Sequence, residues 1–533
     1  MKNNIMYKGI LMVLAMVGAF GCSDDFLDTE LLTGVTDESF YRTIEDADIA
    51  LIGCYDGVQQ IYNNGVSFPL ASEIFSDNCY GGTGNTDAFN YRVMDEFSLA
   101  VDPGQTNVFN SSWVAYYQAI YRINVLLEKM DNIDWSNNPD YRNEVEAQAR
   151  FLRAYCYFDM VRLWERIPLV TVPSSGNLPQ NDADEIYTQI AEDLSFAAAN
   201  GGTTVSPGRI NQHAAKALLA RVYLFYTGYY GASDLVGMVT GADALQGLED
   251  VIASGSYGLV SDFRNLWPAA SSSPDVANNT LTSTYAGPDN PETVFSIKYN
   301  ITSNYNGDND GNHWLVLFGM RGHEFSPYGR GWGAGTVLSS FYDAFDDTDV
   351  RRDASIIAID EEGLDFDPSD QREYTGYTNK KYLPLSLPDG SDVATANGAS
   401  DFQIGQYQDY VAIRYADVLL MAAELGSASA ESYFDMVRDR SNPDNPRDAT
   451  LANILEERRL EFAFEGLRYW DLLRQGVDVA ANTIAVNTTV LNGGNSESKV
   501  ISAADIVATR GLRRIPQNQI TRSDGLLTQN EGW

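Results

Sequence analysis

The sequence predicts a mostly α-helical protein of tetratricopeptide-like helical hairpins, with a loop-rich, partly irregular insertion that contains short strands. Apolar residues recur at spacings of three and four over several long segments between residues 110 and 230, which is typical of amphipathic helices. By contrast, Gly, Ser, Asn, Asp and Pro accumulate over residues 255–410, between short apolar runs. The 533 residues suffice for several lobes and a sizeable core.

Residues 1–21 are predicted to be a lipoprotein signal peptide. Lys2 and Lys8 form a positive segment before an apolar run from Ile10 to Phe20, and this run is shorter than the ~20 residues of a membrane-spanning helix. Cleavage before Cys22 would leave that residue free to carry a lipid anchor. The acidic run after Cys22 resembles the surface-export signal of Bacteroidetes lipoproteins, which implies an outer-membrane protein facing the cell exterior. An ordinary secreted protein with an incidental Cys22 is the alternative.

Four long helices are predicted in the region 22–254. Helix 141–164 ends near Pro168, because a proline disfavours helix in the residue before it. Helices 183–199 and 210–230 follow. The apolar stripe of the first helix consists of Trp113, Tyr117, Ile120, Ile123 and Leu127. Helix lengths alone favour hairpins here, since no strict repeat is present.

The loop-rich region 255–410 is predicted to bind ligand, because long ordered loops are usually functional. It contains short strand-like runs such as Thr293–Tyr299. Helical patterns return at 411–425, 428–440 and 451–474, in a C-terminal helical region 411–533 whose tail from 495 is polar.

Charge and composition exclude several function classes. Lys and Arg total 36 against 73 Asp and Glu, a formal charge of −37, which disfavours binding to nucleic acid. Three histidines, His213, His313 and His323, give little support to a zinc site. Besides Cys22, the chain has Cys54, Cys79 and Cys156. At most one disulfide is possible among these three, the sequence does not say which, and packing as small apolar residues is favoured.

Three motifs carry a family resemblance: Glu146–Tyr155, Arg414–Glu424 and Glu457–Gly466, supported by Ile515–Asn518 near the C-terminus. Together with the lipoprotein start, they resemble the SusD/RagB family of nutrient-uptake lipoproteins, and they lie in family order along the chain. One departure is Cys156, where the family commonly has an aromatic residue. The resemblance implies a right-handed superhelical helical body.

The charged residues of the motifs are predicted to be architectural. Arg150, Arg153, Arg414 and Asp417 are expected to tie neighbouring helices together. In the third motif and after it, charges three or four positions apart are expected to form ion pairs along one helix, worth ~0.2–0.5 kcal/mol each if exposed. These residues are Arg458, Glu461, Glu465, Arg468, Asp471 and Arg474.

A catalytic alternative for Glu461 and Glu465 is a pair of glycosidase carboxylates. It is disfavoured because the flanking arginines would keep both acids ionised, whereas one must be protonated to act as a general acid.

The resemblance further implies a protein that captures oligosaccharide at the cell surface. It would deliver this ligand, without catalysis, to a TonB-dependent outer-membrane transporter of the SusC-like kind. No cofactor is implied. Asp308, Asp310 and Asn312 alternate as in calcium loops, but the closing bidentate Glu is missing, so turn formation is the favoured interpretation.

Two loops combine the aromatic faces and polar groups that sugars require. One covers residues 77–87, where glycines permit close backbone approach to a ligand. The other runs from Tyr305 to Trp332. The predicted ligand-binding residues are Tyr80, Asn85, Asp87, Tyr305, Trp314 and Trp332. The alternative for any one aromatic is that it packs a loop against the helical body.

Three other functions stay open from the sequence: peptide uptake by a protein of the same family, a surface glycosidase, and a purely structural helical scaffold. The Trp and Tyr loops argue against a peptide ligand. Acidic residues occur throughout without marking a catalytic pair, and a scaffold would have no use for the loops of 255–410.

Overall fold

The structure, a computed structural model, describes residues 40–63, 66–87, 89–99, 107–304 and 309–533. The predicted signal peptide, the predicted lipid-anchored Cys22 and Tyr305 therefore lie outside the described residues. The fold is mostly helical, as predicted. Within the described ranges, no helix combines the length and the apolar character needed to cross a membrane.

Helices dominate the first half of the chain. In order, the elements are α1 Ile44–Asn63, α2 Phe68–Ile74, β1 Cys79–Gly82, α3 Phe89–Glu96, α4 Asn110–Lys129, α5 Pro139–Trp164, α6 Ala183–Asn200, α7 Gln212–Tyr230 and α8 Gly241–Ala253. The four predicted long helices correspond to α4, α5, α6 and α7. Consecutive helices from α4 to α8 pack against each other.

Local sequence signals set the ends of these helices. α5 begins at Pro139, where the missing amide proton costs no helical hydrogen bond. Asp182 and Glu185 form a capping box at the start of α6. The α7 start is capped by the Asn211 side chain, and Gly231 ends the helix in the left-handed conformation with φ of 65°.

The middle of the chain consists of short elements joined by loops. They are β2 Ser272–Asp275, β3 Thr280–Ser283, β4 Thr293–Ile297, α9 His313–Phe318, β5 Met320–Arg321, β6 Arg330–Gly331, β7 Ala334–Val337, α10 Ser339–Tyr342, α11 Val350–Ser355, β8 Ile356–Ala358, β9 Tyr377–Asn379 and α12 Val393–Ala396. The strands form two-stranded sheets, and β1 reaches into this region to pair with β7.

The C-terminal part returns to helices and adds one hairpin. Its elements are β10 Tyr410–Arg414, α13 Tyr415–Glu424, α14 Ala430–Ser441, α15 Leu451–Glu461, α16 Arg468–Leu473, α17 Val477–Ile484, β11 Val486–Asn492, β12 Asn495–Ile501, α18 Ala503–Ala508 and α19 Gln517–Arg522.

Two helix predictions for this part are wrong. Residues 410–414 form a strand because they pair with β4, with Tyr410 opposite Ile297. The predicted helix 451–474 is interrupted between α15 and α16, where Phe464 and Gly466 have φ values of 62° and 77°. The motif charges therefore do not lie along one helix.

A continuous apolar core joins the helices of both halves with the β4–β10 sheet. Trp164 and Tyr469 are among its fully buried side chains. The thiols of Cys54, Cys79 and Cys156 are free and buried.

The motif charges tie separate elements together, as predicted for the first two motifs. Arg153 of α5 holds Asp193 of α6 through two hydrogen bonds of 2.8 Å, and Arg150 lies 3.5 Å from the same carboxylate. Asp417 of α13 contacts Arg221 of α7 at 2.6 Å and also Arg458 of α15. The first two motifs thus fix how neighbouring helices pack.

Arg414 is the centre of a larger buried ionic network. It lies 2.9 Å from Glu461 and 2.7 Å from Glu465, and it also contacts Glu292. Lys381 contacts Glu465 at 2.8 Å, and every one of these five side chains is at most 3% exposed. Two acids from the third motif are therefore joined to three segments of the chain that lie before it.

We expect the Asp417→Asn variant to lose stability in a pH-dependent way. Burial alone would raise the pKa of Asp417, but the guanidinium groups of Arg458 and Arg221 lower it to about 2. A pKa lower in the folded than in the unfolded chain stabilises the fold above the unfolded value, and this contribution fades as the pH falls towards the folded value. At pH 7, the lowered pKa of Asp417 contributes about 2 kcal/mol to the free energy of unfolding of the wild type.

Urea unfolding of both proteins between pH 7 and pH 3 checks this expectation. The difference in free energy of unfolding should shrink below pH 4, and an exposed-site control, Asp131→Asn, should show no such trend. A difference that is constant over this range would contradict the assignment.

Candidate functional site

The two predicted binding loops lie side by side. β1 pairs with β7 in antiparallel register, which places Gly82 opposite Ala334. Just beyond the strand, the Thr83 amide donates to the Gly333 carbonyl oxygen at 2.7 Å. The sheet therefore brings residues 83–87 against the segment that carries Trp332.

A charged cluster occupies the junction of the two loops. The Arg321 guanidinium lies 2.8 Å from an Asp87 oxygen and 2.8 Å from an Asp370 oxygen. The Asp87 and Asp370 side chains are 48% and 56% exposed, whereas that of Arg321 is 20% exposed. Fixed by Arg321, the two carboxylates can accept hydrogen bonds from hydroxyl groups of a ligand.

Asn85 lies beside this cluster and is half-buried. Its side-chain nitrogen donates to the Ser369 carbonyl oxygen at 2.8 Å, and its backbone amide donates to Asp370 at 3.3 Å. Its side-chain oxygen has no hydrogen-bond partner among the described residues. Asn85 and Asp87 thus lie at the same charged cluster, and their role in ligand binding stays a prediction.

The segment 369–373 supports the loop from the protein side. The Gln371 side chain donates to the carbonyl oxygens of Thr83 at 3.3 Å and Gly333 at 2.9 Å. Arg372 donates to the carbonyl oxygens of Asn85 at 3.1 Å and Asp87 at 3.2 Å. Sequence reasoning missed this segment, and no motif or spacing links it to a loop so far away along the chain.

The loop glycines serve the contact between protein segments. Gly82 has a φ of 69°, and a β-carbon there would overlap the Gly333 carbonyl oxygen. A β-carbon at Gly84 would overlap the Arg321 guanidinium and lie 2.7 Å from an Asp87 carboxylate oxygen. At these two positions, the close approach of the glycine backbone is to other parts of the protein.

Of the predicted aromatic residues that the structure describes, Trp332 is the one with a part-exposed ring. It directly follows β6, in which Gly331 lies opposite Arg321. The indole is half-buried and packs nearly perpendicular to the His313 ring, with centroids 5.5 Å apart. The exposed part of the indole can stack against a sugar ring.

The predictions for Trp314 and Tyr80 as ligand-stacking residues are wrong in this structure. Trp314 is 1% exposed, with its ring centroid 5.1 Å from that of Tyr382 and 5.7 Å from that of Tyr410. Residues Trp314–Phe318 of α9 are all buried, so this short helix packs inside the core and takes the Trp314 ring with it. Tyr80 is 7% exposed, and its ring lies 5.0 Å from the Lys499 ammonium.

The possible calcium ligands are only partly described. Asp308 lies outside the described residues. Asn312 caps α9 by accepting from the Leu315 amide at 3.2 Å, and Asp310 accepts from the Thr302 hydroxyl at 2.9 Å. Both described side chains thus have protein partners, as turn formation requires.

One acidic group among the described residues has metal-like spacing: Asp95, Glu96 and Glu373. The Lys499 ammonium contacts Glu373, lies 2.9 Å from Asp95 and is 3.9 Å from Glu96. A lysine side chain therefore supplies the positive charge that these acids require.

The geometry does not favour Glu461 and Glu465 as a catalytic pair. Glu461 is fully buried, and although burial would raise its pKa, Arg440, Arg414 and Arg351 hold it well below its usual value. Burial raises the pKa of Glu73 to about 7, but this acid is also fully buried. Because they are fully buried, neither Glu461 nor Glu73 can reach a glycosidic bond to act as a general acid.

Family comparisons cover most of the chain. A family model described as the SusD family matches residues 291–533. A second, described as starch-binding and associating with the outer membrane, matches residues 40–224. SusD-like protein P2 from Formosa agariphila is 27% identical over 499 residues, covering 88% of this chain and 90% of the relative.

Solved structures share the fold. A laminarin-binding SusD-like protein has a TM-score of 0.69 and 25% identity, covering 92% of this chain and 100% of its own. Surface glycan-binding protein A from Bacteroides thetaiotaomicron, in complex with laminarihexaose, has a TM-score of 0.71 and 22% identity, with the same coverage.

We expect Trp314→Ala to lower the free energy of unfolding by about 3–5 kcal/mol, because it empties a core position. Trp332→Ala, at a half-buried position, should cost clearly less. Urea unfolding of both variants measures the two losses. An unchanged stability for Trp314→Ala would contradict its placement in the core.

Proposed function

The chain belongs to the SusD/RagB family, and we propose that it is a surface-exposed, lipid-anchored protein that captures oligosaccharide and delivers it to a TonB-dependent outer-membrane transporter. The family resemblance of the three sequence motifs is confirmed by the two family models. Outer-membrane association is part of the description of the matched starch-binding family.

The observation that carries the glycan proposal is the junction of the two loops. Trp332 directly follows Gly331, which pairs with Arg321, and the Arg321 guanidinium lies 2.8 Å from an oxygen of Asp87 and 2.8 Å from an oxygen of Asp370. Sugar recognition combines stacking on the apolar ring face with hydrogen bonds to the hydroxyls. The loop junction carries a part-exposed indole and two exposed carboxylates on segments that pair with each other.

A β-glucan of the laminarin type is the first ligand to test. Two structural neighbours carry laminarin or laminarihexaose in their descriptions, and one of them is 25% identical to this chain. Fold similarity alone does not transfer a ligand, so the support lies in the fold together with the aromatic and charged groups at the loop junction.

The proposed lipid anchor and the proposed delivery of ligand are supported by the sequence and by the family. Cys22 would carry the lipid, and a SusC-like transporter would receive the ligand. The net charge of −37 opposes a role at nucleic acid. Binding without hydrolysis is proposed because both candidate carboxylates are buried and paired with Arg414.

A panel of purified glycans tests the proposal. We expect laminarihexaose to bind in calorimetry, and Trp332→Ala to weaken that binding about tenfold or more, since an indole contact is worth about 1.5–3 kcal/mol. The matched control is Tyr121→Ala, an aromatic residue of α4 that is 49% exposed and remote from the loops in the sequence.

Tyr121→Ala should bind as the wild type does. Equal binding by Trp332→Ala and the wild type would move the site elsewhere. A panel without any bound glycan would favour peptide uptake, and new reducing ends in the mixture would indicate a glycosidase.

A further inference from the structure

The β11–β12 hairpin, within the C-terminal region, reaches the loop junction. Its two strands pair along their full length from Val486 opposite Ile501 to Asn492 opposite Asn495. Gly493 and Gly494 form the turn, both with positive φ, 56° and 77°. Most residues of β12 are exposed, but Lys499 is 2% exposed. A buried lysine on this mostly exposed strand needs partners of opposite charge.

Lys499 connects the hairpin to the backbone of the binding loop through two acids. Its ammonium contacts Glu373 and lies 2.9 Å from Asp95. The same carboxylates accept hydrogen bonds from two consecutive backbone amides of the binding loop. The Gly81 amide donates to Asp95 at 2.7 Å, and the Gly82 amide donates to Glu373 at 2.8 Å. The hairpin and the loop thus share one buried charge cluster.

The hairpin tip touches the loop a second time. The Gly493 amide donates to the Gln371 carbonyl oxygen at 2.9 Å. A β-carbon at Gly493 would overlap the Asn85 side-chain nitrogen and lie 2.9 Å from the Ser369 carbonyl oxygen. Around the neighbouring Gly494, by contrast, there is open space.

We propose that the β11–β12 hairpin is a positioning element of the ligand site: its tip fixes the Asn85 side chain, and its Lys499 fixes the backbone of Gly81 and Gly82. The proposal rests on the proposed function of the loop junction in glycan binding. Hairpin residues that do not touch the ligand then contribute to specificity, because the position of the Asn85 side chain depends on the absence of a side chain at Gly493.

The two turn glycines provide a matched pair of variants. Gly493→Ala and Gly494→Ala place the same side chain in the same kind of left-handed backbone, so both carry similar strain. Only Gly493→Ala displaces the Asn85 amide. We expect Gly493→Ala to weaken laminarihexaose binding about threefold to tenfold relative to Gly494→Ala, as for one lost hydrogen bond.

Calorimetry with laminarihexaose on the wild type and both variants decides the first part, with thermal unfolding as a check on folding. Equal affinity of the two variants would overturn the role of the tip. A wild type that binds neither laminarihexaose nor any other glycan of the panel would refute the proposed function instead, which separates the two failures.

Hydrogen exchange without any ligand decides the second part. In Lys499→Met, exchange of the Gly81 and Gly82 amides should rise at least about tenfold more than that of α5 core amides. The control Lys216→Met removes an ion pair with Asp250 on the helical body and should leave both glycine amides unchanged. Uniform faster exchange throughout Lys499→Met would show that Lys499 stabilises the whole fold and does not position the loop.

Discussion

Buried charge pairing between distant segments is the constraint on which this structure depends. Around Arg414, Glu292 comes from the loop-rich insertion, whereas Glu461 and Glu465 come from the third motif, and each acid loses its hydration on folding. Removing water from such charges is costly unless every one finds a partner. The network therefore forms only when the loop-rich insertion and the C-terminal helices are both in place, which links the position of one to the other.

The same principle acts at the candidate site on a smaller scale. Lys499, Asp95 and Glu373 form a buried cluster whose acids also accept backbone amides of the binding loop. Further out, Arg321 holds Asp87 and Asp370 at the surface, where the carboxylates stay exposed. Charge pairing thus builds the scaffold where it is buried and leaves acceptors for a ligand where it is exposed.

The local sequence pattern predicted most of the fold. The predictions failed where contacts between distant residues decide the structure. The helices α4 to α7 follow from apolar spacing and capping residues, which act within a few turns. Residues 410–414 became a strand only because β4 is available as a partner. At the site, the two loops were predicted, but Trp314 proved to be core and Asp370 was missed. Neither outcome has a signal in the neighbouring sequence, since burial and partnership are decided by the tertiary fold.

The loop junction around Trp332 is the proposed sugar-binding site. A crystal structure of the protein with laminarihexaose would show where the sugar lies. We expect a sugar ring against the Trp332 indole, with hydroxyls bonded to Asp87, Arg321 or Asp370. A hexaose bound away from this junction, for example in the cleft beside Tyr121 on α4, would contradict it.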